Sequence, residues 1–255
     1  MYWPLKTVWQ PSRRDSYYLS WSRSFNPNWG RLVDGSIPPP ERGVQTEVGW
    51  KHDFDDGKTN LNIAAYRLVK RNVERCAPQD PDCRLYVLGG QQSSQGLEFD
   101  LNGEPLPHLR LTASLTLQSG ARVDKDLPAD SPYAWGGALP VGNRFPGGPR
   151  RMASFFGVYT LQGDTLPGLE LGGGFNYSAP SEQNLPNDGY RLPGERTVNL
   201  YAAYPLTPRV HVQLNVNNVT NRLAYSSPGW QGWPWLYFAN KPREFVLALT
   251  AQFGS

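Results

Sequence analysis

Hydrophobic and polar residues alternate along most of this chain with a period of two. In residues 209–217, Val210, Val212, Leu214 and Val216 are interleaved with His211, Gln213, Asn215 and Asn217. In 242–253, Phe245, Leu247, Leu249, Ala251 and Phe253 share one parity. Residues 108–120 are as regular, with Leu109, Leu111, Ala113, Leu115 and Leu117 set against Arg110, Thr112, Ser114, Thr116 and Gln118. Successive side chains of a strand point to opposite faces, so each stretch predicts a strand with one apolar and one polar face. The same reading predicts strands over 16–25, 41–52, 59–70, 84–101, 149–162, 169–177 and 193–204, and the end of another over 6–10. The faces of 59–70 are the least distinct.

The connections alternate in length. Short ones lie at 11–14, 53–57, 103–107, 163–167 and 205–208, and long ones at 26–40, 71–83, 121–148, 179–191 and 223–241. In an up-and-down meander every second connection falls at the same end. All short turns therefore gather at one end and all long loops at the other, as in outer-membrane barrels. A soluble β-sandwich has no reason to sort loop length in this way, although its apolar faces would give the same periodicity. The strands are also longer than the five or six residues usual in soluble sheets. Trp21, Trp50, Tyr177, Tyr204 and Phe253 sit near strand ends, where an interfacial girdle would place them.

Composition agrees with that reading. Charged residues make up 18% of the 255 and aromatics 13%, which suits many short, half-buried strands. A net charge of +3 gives no reason to expect nucleic acid as a partner. No run of about 18 apolar residues occurs, which excludes a transmembrane helix but not a barrel. No secretory leader pattern is visible at the N-terminus.

The residues resemble a known family. YYLSWSRSFNP, PPPERGVQTEVGWK, NLNIAAYRLVKRNV, SQGLEFDLNGEP, GNRFPGGPRRMASFF, LPGERTVNLYAAYPLTPRVHVQLNVNNVTNRLAY and the closing KPREFVLALTAQF follow one another. In that order and spacing they are similar to the C-terminal half of TonB-dependent siderophore receptors, the outer-membrane importers of ferric chelates. The resemblance implies an all-β, antiparallel up-and-down transmembrane barrel of about 10–11 strands, half of a 22-stranded one. It implies that residues 1–255 are a partial barrel domain, with signal peptide, TonB box and plug absent. The function expected is siderophore uptake in the bacterial outer membrane, by a fragment not competent alone. The alternatives are a small autonomous outer-membrane pore and a soluble β-sandwich binding module.

Expected partners are outer-membrane lipid, a ferric siderophore as transported ligand and, only through the plug, the TonB complex. No resident cofactor is expected. Candidate ligand contacts are the aromatics and arginines of the long loops: Tyr133, Trp135 and Arg144, then Tyr190 and Arg191, then Trp230, Trp233, Trp235 and Tyr237. Aromatic rings would stack on a chelate and guanidinium groups would pair with its negative charge. The alternative for each ring is a place in the interfacial girdle. Glu47, Lys51, Glu98, Asp100, Arg110, Glu170 and Glu244 are expected to face the lumen.

Catalysis finds little support. His52, His108 and His211 lie on or beside three distant strands, without metal-ligand spacing. No nucleophile elbow, phosphate loop or zinc-protease motif occurs. Cys76 and Cys83 would close a small disulfide loop in an oxidising compartment, with two free thiols as the alternative.

Overall fold

The alternating segments become one antiparallel meander in the computed structural model, which describes residues 4–54, 57–77, 80, 82, 84–88, 90–119, 121–126, 141–183, 187–226 and 238–253. β1 (Leu5–Trp9) and β2 (Asp15–Asn26) open it, and β3 (Arg31–Leu32) lies in the long loop that follows. β4 (Glu41–Phe54) and β5 (Thr59–Arg71) are the next wall strands, with β6 (Glu74–Cys76) and β7 (Leu85–Leu88) in the loop beyond them. β8 (Gln91–Leu106) and β9 (Leu109–Gln118) lead to the short β10 (Arg122–Lys125). β11 (Arg151–Thr160) and β12 (Glu170–Ser178) precede the loop pair β13 (Ser181–Glu182) and β14 (Arg191–Leu192). β15 (Glu195–Thr207) and β16 (Val210–Asn217) are followed by the loop pair β17 (Tyr225–Ser226) and β18 (Phe238–Ala239), and β19 (Glu244–Ala251) is the last strand.

The wall runs in the order β1-β2-β4-β5-β8-β9-β11-β12-β15-β16-β19, so the expected eleven strands are each bonded to their sequence neighbour in the wall. β1 and β19 stand at the two ends of this path and are not joined to each other. Every short β-element lies in or beside a long loop, which leaves the other end of the wall to tight turns.

The register shows how the apolar faces combine. Trp9, Tyr17, Trp50, Ile63, Phe99, Leu115, Ala153, Tyr177 and Arg196 are successive cross-strand partners. The row begins at Trp9, beside a short turn, and ends at Arg196, beside a long loop. Strands staggered in this way are tilted against the wall's axis, as in a barrel. Leu19, Val48, Leu97, Leu115, Leu171, Phe175, Val198 and Leu200 lie on this face and remain exposed, because no second layer covers it. Large exposed apolar surface of this extent marks an interaction surface, and here its continuity around eleven strands matches lipid. At the short-turn end, Trp9, Tyr17, Trp50, His52 and Phe54 form a chain of ring contacts with centroids 4.3–6.4 Å apart.

Three details depart from the expected boundaries. The predicted strand over 84–101 divides into β7 and β8. Gly90 takes φ +59, and a Cβ there would meet the Lys125 carbonyl, so the chain turns at a point only glycine fits. β7 then leaves the wall for a small sheet, parallel to β3 and antiparallel to β6. The turn expected at 103–107 is displaced to Pro107-His108. β8 continues to Leu106 through a register shift after Gly103, and His108 adopts φ +65. The turn at 205–208 is likewise shortened, by a bulge between Pro205 and Thr207.

Candidate functional site at the long-loop end of the wall

Two polar regions remain once the apolar face is assigned. The first is the opposite face of the wall. Glu47, Lys51, Glu98, Asp100, Arg110, Glu170 and Glu244 share it by register, as expected. Glu47, Arg110, Glu170 and Glu244 sit in hydrogen-bonded groups. Tyr18 donates to Glu47 at 2.7 Å. Arg110 pairs with Glu170 at 2.6 Å, and Tyr201 donates to the other oxygen of Glu170 at 2.8 Å. Ser114 and Ser154 meet at 2.8 Å, and Thr112 donates to Asn102 at 2.9 Å. Such a face needs water or a polar partner, since its unmatched groups could not be placed in hydrocarbon without loss.

The second region is built by the long loops between β9 and β11 and between β12 and β15. β10 folds back onto the end of β8, and Val123 is buried to 1% exposure. The chain at 142–145 pairs with β10 through Val123 N–H to the Asn143 carbonyl (2.9 Å) and Gly142 N–H to the Val123 carbonyl (2.8 Å). Asn187, in the next loop, clamps this segment. Its side-chain oxygen accepts from Arg144 N–H at 2.8 Å, its amide donates to the Arg144 carbonyl at 2.9 Å, and its own N–H donates to Asn143 at 2.7 Å. Asn187→Ala is expected to release the two loops from each other at a local cost of about 1–2 kcal/mol. Faster amide exchange at residues 142–145, with the wall strands unchanged, checks it.

The clamp brings cations together. Arg191 Nε donates to Glu182 Oε1 at 2.8 Å, and the Glu182 side chain is nearly buried. Burial pushes the Arg144 guanidinium below the ordinary arginine range; Arg150, Arg191 and Arg122 push it further, while Glu182 opposes them. Arg122, bridged to Arg144 through the backbone, and Arg150 and Arg191 thus act on the Arg144 guanidinium together with the one carboxylate of Glu182. Their excess positive charge makes an anion the complementary ligand.

Of the residues singled out from the sequence, Arg144 and Arg191 are brought into this cluster. Tyr190 sits beside it and is exposed, with its N–H bonded to Asp188. Tyr133, Trp135, Trp230, Trp233, Trp235 and Tyr237 lie outside the described residues, as does Cys83. Cys76 is disulfide-bonded. Among the described residues no group of three His, Cys, Asp or Glu could hold a metal ion. Sequence reading missed Glu182, Asn187 and Asn218. Asn218, at φ +50 and nearly buried, donates to the carbonyls of Arg222 and Lys241 and accepts from Arg222 N–H, so it ties the base of the last long loop. Nothing local distinguishes these three from other polar loop residues; only the left-handed backbone at Asn218 follows a known preference of asparagine.

Comparison with known proteins agrees with this geometry. The family model "TonB dependent receptor-like, beta-barrel" matches residues 5–219. The metal-pseudopaline receptor CntO of Pseudomonas aeruginosa is 28% identical over 246 residues, covering 96% of this chain and 32% of that protein. The ferrichrome outer membrane transporter/phage receptor of Escherichia coli is 29% identical over 211 residues, covering 80% of this chain and 26% of that protein. Among solved structures, the ferric preacinetobactin receptor BauA of Acinetobacter baumannii superposes with a TM-score of 0.81 over 98% of this chain and 36% of its own, at 19% identity. FpvA of P. aeruginosa, bound to a heterologous pyoverdine, gives a TM-score of 0.79 over 98% of this chain and 32% of its own, at 21% identity. The chain therefore spans about a third of these relatives. With a matching model over most of its length and the wall geometry above, the chain belongs to the TonB dependent receptor-like β-barrel family of the bacterial outer membrane.

Proposed function

We propose that this chain is part of the barrel wall of a receptor that takes up an anionic metal chelate, a ferric siderophore, at its long-loop end. The observation that carries the reading is the docking of the two loops, which bridges Arg122 to Arg144, pairs Arg191 with Glu182 and brings these charges, with Arg150, within reach of the Arg144 guanidinium. Guanidinium groups match the planar oxygen pairs of carboxylate, catecholate and hydroxamate chelators. The names of the relatives, receptors for metal-pseudopaline, ferrichrome and pyoverdine, support a metal chelate as cargo. The wall then serves as a binding and guiding surface, not as a catalyst. Its polar face would line the lumen, with Glu47, Glu98, Asp100 and Arg110 offered to a plug domain through which TonB coupling would pass.

The test is direct chelate binding to the receptor purified from outer membranes. Arg144→Glu with Arg191→Glu is expected to weaken an anionic ferric chelate roughly tenfold or more, a loss of about 1.4 kcal/mol, with less effect on a neutral one. Tryptophan quenching titrations measure it. Unchanged affinity for the anionic chelate in the double variant would remove the reading.

A further inference from the structure

Beyond the wall, β3, β7 and β6 form a small sheet of their own. Asp80 closes one end of it, accepting the Arg84 and Leu85 N–H groups at 2.8 and 2.7 Å. Glu74 receives the Trp29 and Gly30 N–H groups at 3.4 Å each, and Gly30 lies so close to the Tyr86 ring that no Cβ fits there. These contacts join the loop after β2 and the loop after β5 into one body.

Side chains alternate along β6, so Arg75 leaves the face that carries Glu74. It shares the opposite face with its cross-strand partner Val87, which is buried. From there Arg75 Nη2 donates to Asp126 Oδ2 at 3.0 Å, and the two side chains are only 13% and 1% exposed. Arg75 Nε is buried as well and has no hydrogen-bond partner among the described residues. Asp126 directly follows the last residue of β10. One residue earlier, the Lys125 carbonyl occupies the space that a Cβ on Gly90 would need. Two contacts therefore fasten the body formed by the first two loops to the end of β10. An ion pair taken out of water adds little net stability, but removing one partner leaves the other charge buried and uncompensated. The value of this pair lies in where it holds the chain.

β10 passes the constraint on. Asp124 accepts from Gln91 and Ser93 of β8 at 3.1 and 2.9 Å. Arg122 forms a β-bridge with Arg144, in the segment that Asn187 clamps. Just beyond it, Gly147 N–H donates to the Glu182 carbonyl at 3.0 Å. A contiguous path of paired groups thus runs from Arg75, through β10, to Arg144 and Glu182.

We propose that Arg75 and Asp126 are positioning residues of the chelate site: the buried pair sets where β10 ends, and β10 sets where Arg144 stands. The consequence for cargo rests on the chelate reading, whereas the tie between the loops can be measured without cargo.

The experiment uses the receptor purified from outer membranes, with the iron(III) complex of a tris-catecholate chelator, an anion, as the probe. Asp126→Asn keeps the size of the side chain and removes its charge. Before the probe is added, amide exchange at residues 121–125 and 142–145 is expected to quicken roughly tenfold or more, with β12 and β15 unchanged as the check on folding. Arg75→Ala is expected to do the same. Unchanged exchange at 142–145 in both variants would overturn the tie. Affinity for the probe is expected to fall roughly tenfold in Asp126→Asn. A charge acting only through its field would do the reverse, since loss of a negative charge favours an anion. A rise in affinity, or none of the expected fall, would overturn the positioning role. In an Arg144→Gln background the same substitution is expected to change affinity less than about twofold, because residues that act through one contact are not additive. Equal losses in both backgrounds would show that the pair does not act through Arg144 and would overturn the proposal. Unchanged affinity in Arg144→Gln alone would remove the chelate reading and the positioning role with it, while the exchange result still decides the tie.

Discussion

Leu115→Arg in the middle of β9 is expected to destabilise the folded barrel by about 2–4 kcal/mol in a bilayer. Leu115 points outward and pairs with Phe99 and Ala153, inside the apolar row that crosses the wall. An arginine there must either take its charge into hydrocarbon or bend out of the row to reach the headgroups. The neighbouring position separates this effect from a general intolerance of the strand. Thr116 points to the other face and pairs with Glu98, so Thr116→Arg meets water and a carboxylate. Its cost is expected below about 1 kcal/mol. Denaturant titration of the two variants refolded in liposomes, followed by heat-modifiable migration, measures both. Equal costs would contradict the assignment of faces.

Gly174→Val is expected to cost about 3 kcal/mol, near the upper end for forcing volume into a packed site. Gly172 and Gly174 occupy the same face of β12, between Phe156 on β11 and Tyr201 on β15. With no side chain on the strand between them, the two rings meet edge-on, with centroids 6.2 Å apart and planes at 77°. A Cβ at Gly174 would collide with the Phe155 carbonyl oxygen and stand 2.7 Å from the Phe156 ring. Neither backbone nor ring can move without disturbing the ladder or the Tyr201–Glu170 hydrogen bond. Gly173→Ala is the comparison. It faces outward, and its nearest neighbours lie at 3.3 Å, so about 1 kcal/mol or less is expected. The same denaturation measurement applies, and a mild Gly174→Val would show that the ring contact is not held over the glycines.

Much of this architecture was legible in the sequence because its signals are local. β9, β16 and β19 alternate cleanly, and a strand's side chains cannot choose faces independently. The alternation of short and long connections needed no contact information either. β5 was harder, because Ala64, Tyr66 and Leu68 put apolar atoms on the lumenal side as well. The register settles it by pairing Leu61, Ile63 and Ala65 with Leu101, Phe99 and Leu97. The 84–101 stretch reads as one strand because the glycines near Gly90 interrupt no hydrophobic period; the break comes from backbone geometry against Lys125.

The candidate site divides along the same line. Arg144 and Arg191 could be picked out as cations in long loops, but their meeting depends on residues 43–47 positions apart in the chain, through Asn187 and Glu182. Likewise the Arg75–Asp126 pair is invisible in either loop alone and exists only through their docking. Alternation and turn spacing, which a few adjacent residues encode, determined the strands, their two faces and the sorting of loops to one end. Register, stagger and loop docking, which depend on hydrogen bonds between distant segments, decided which charges stand together.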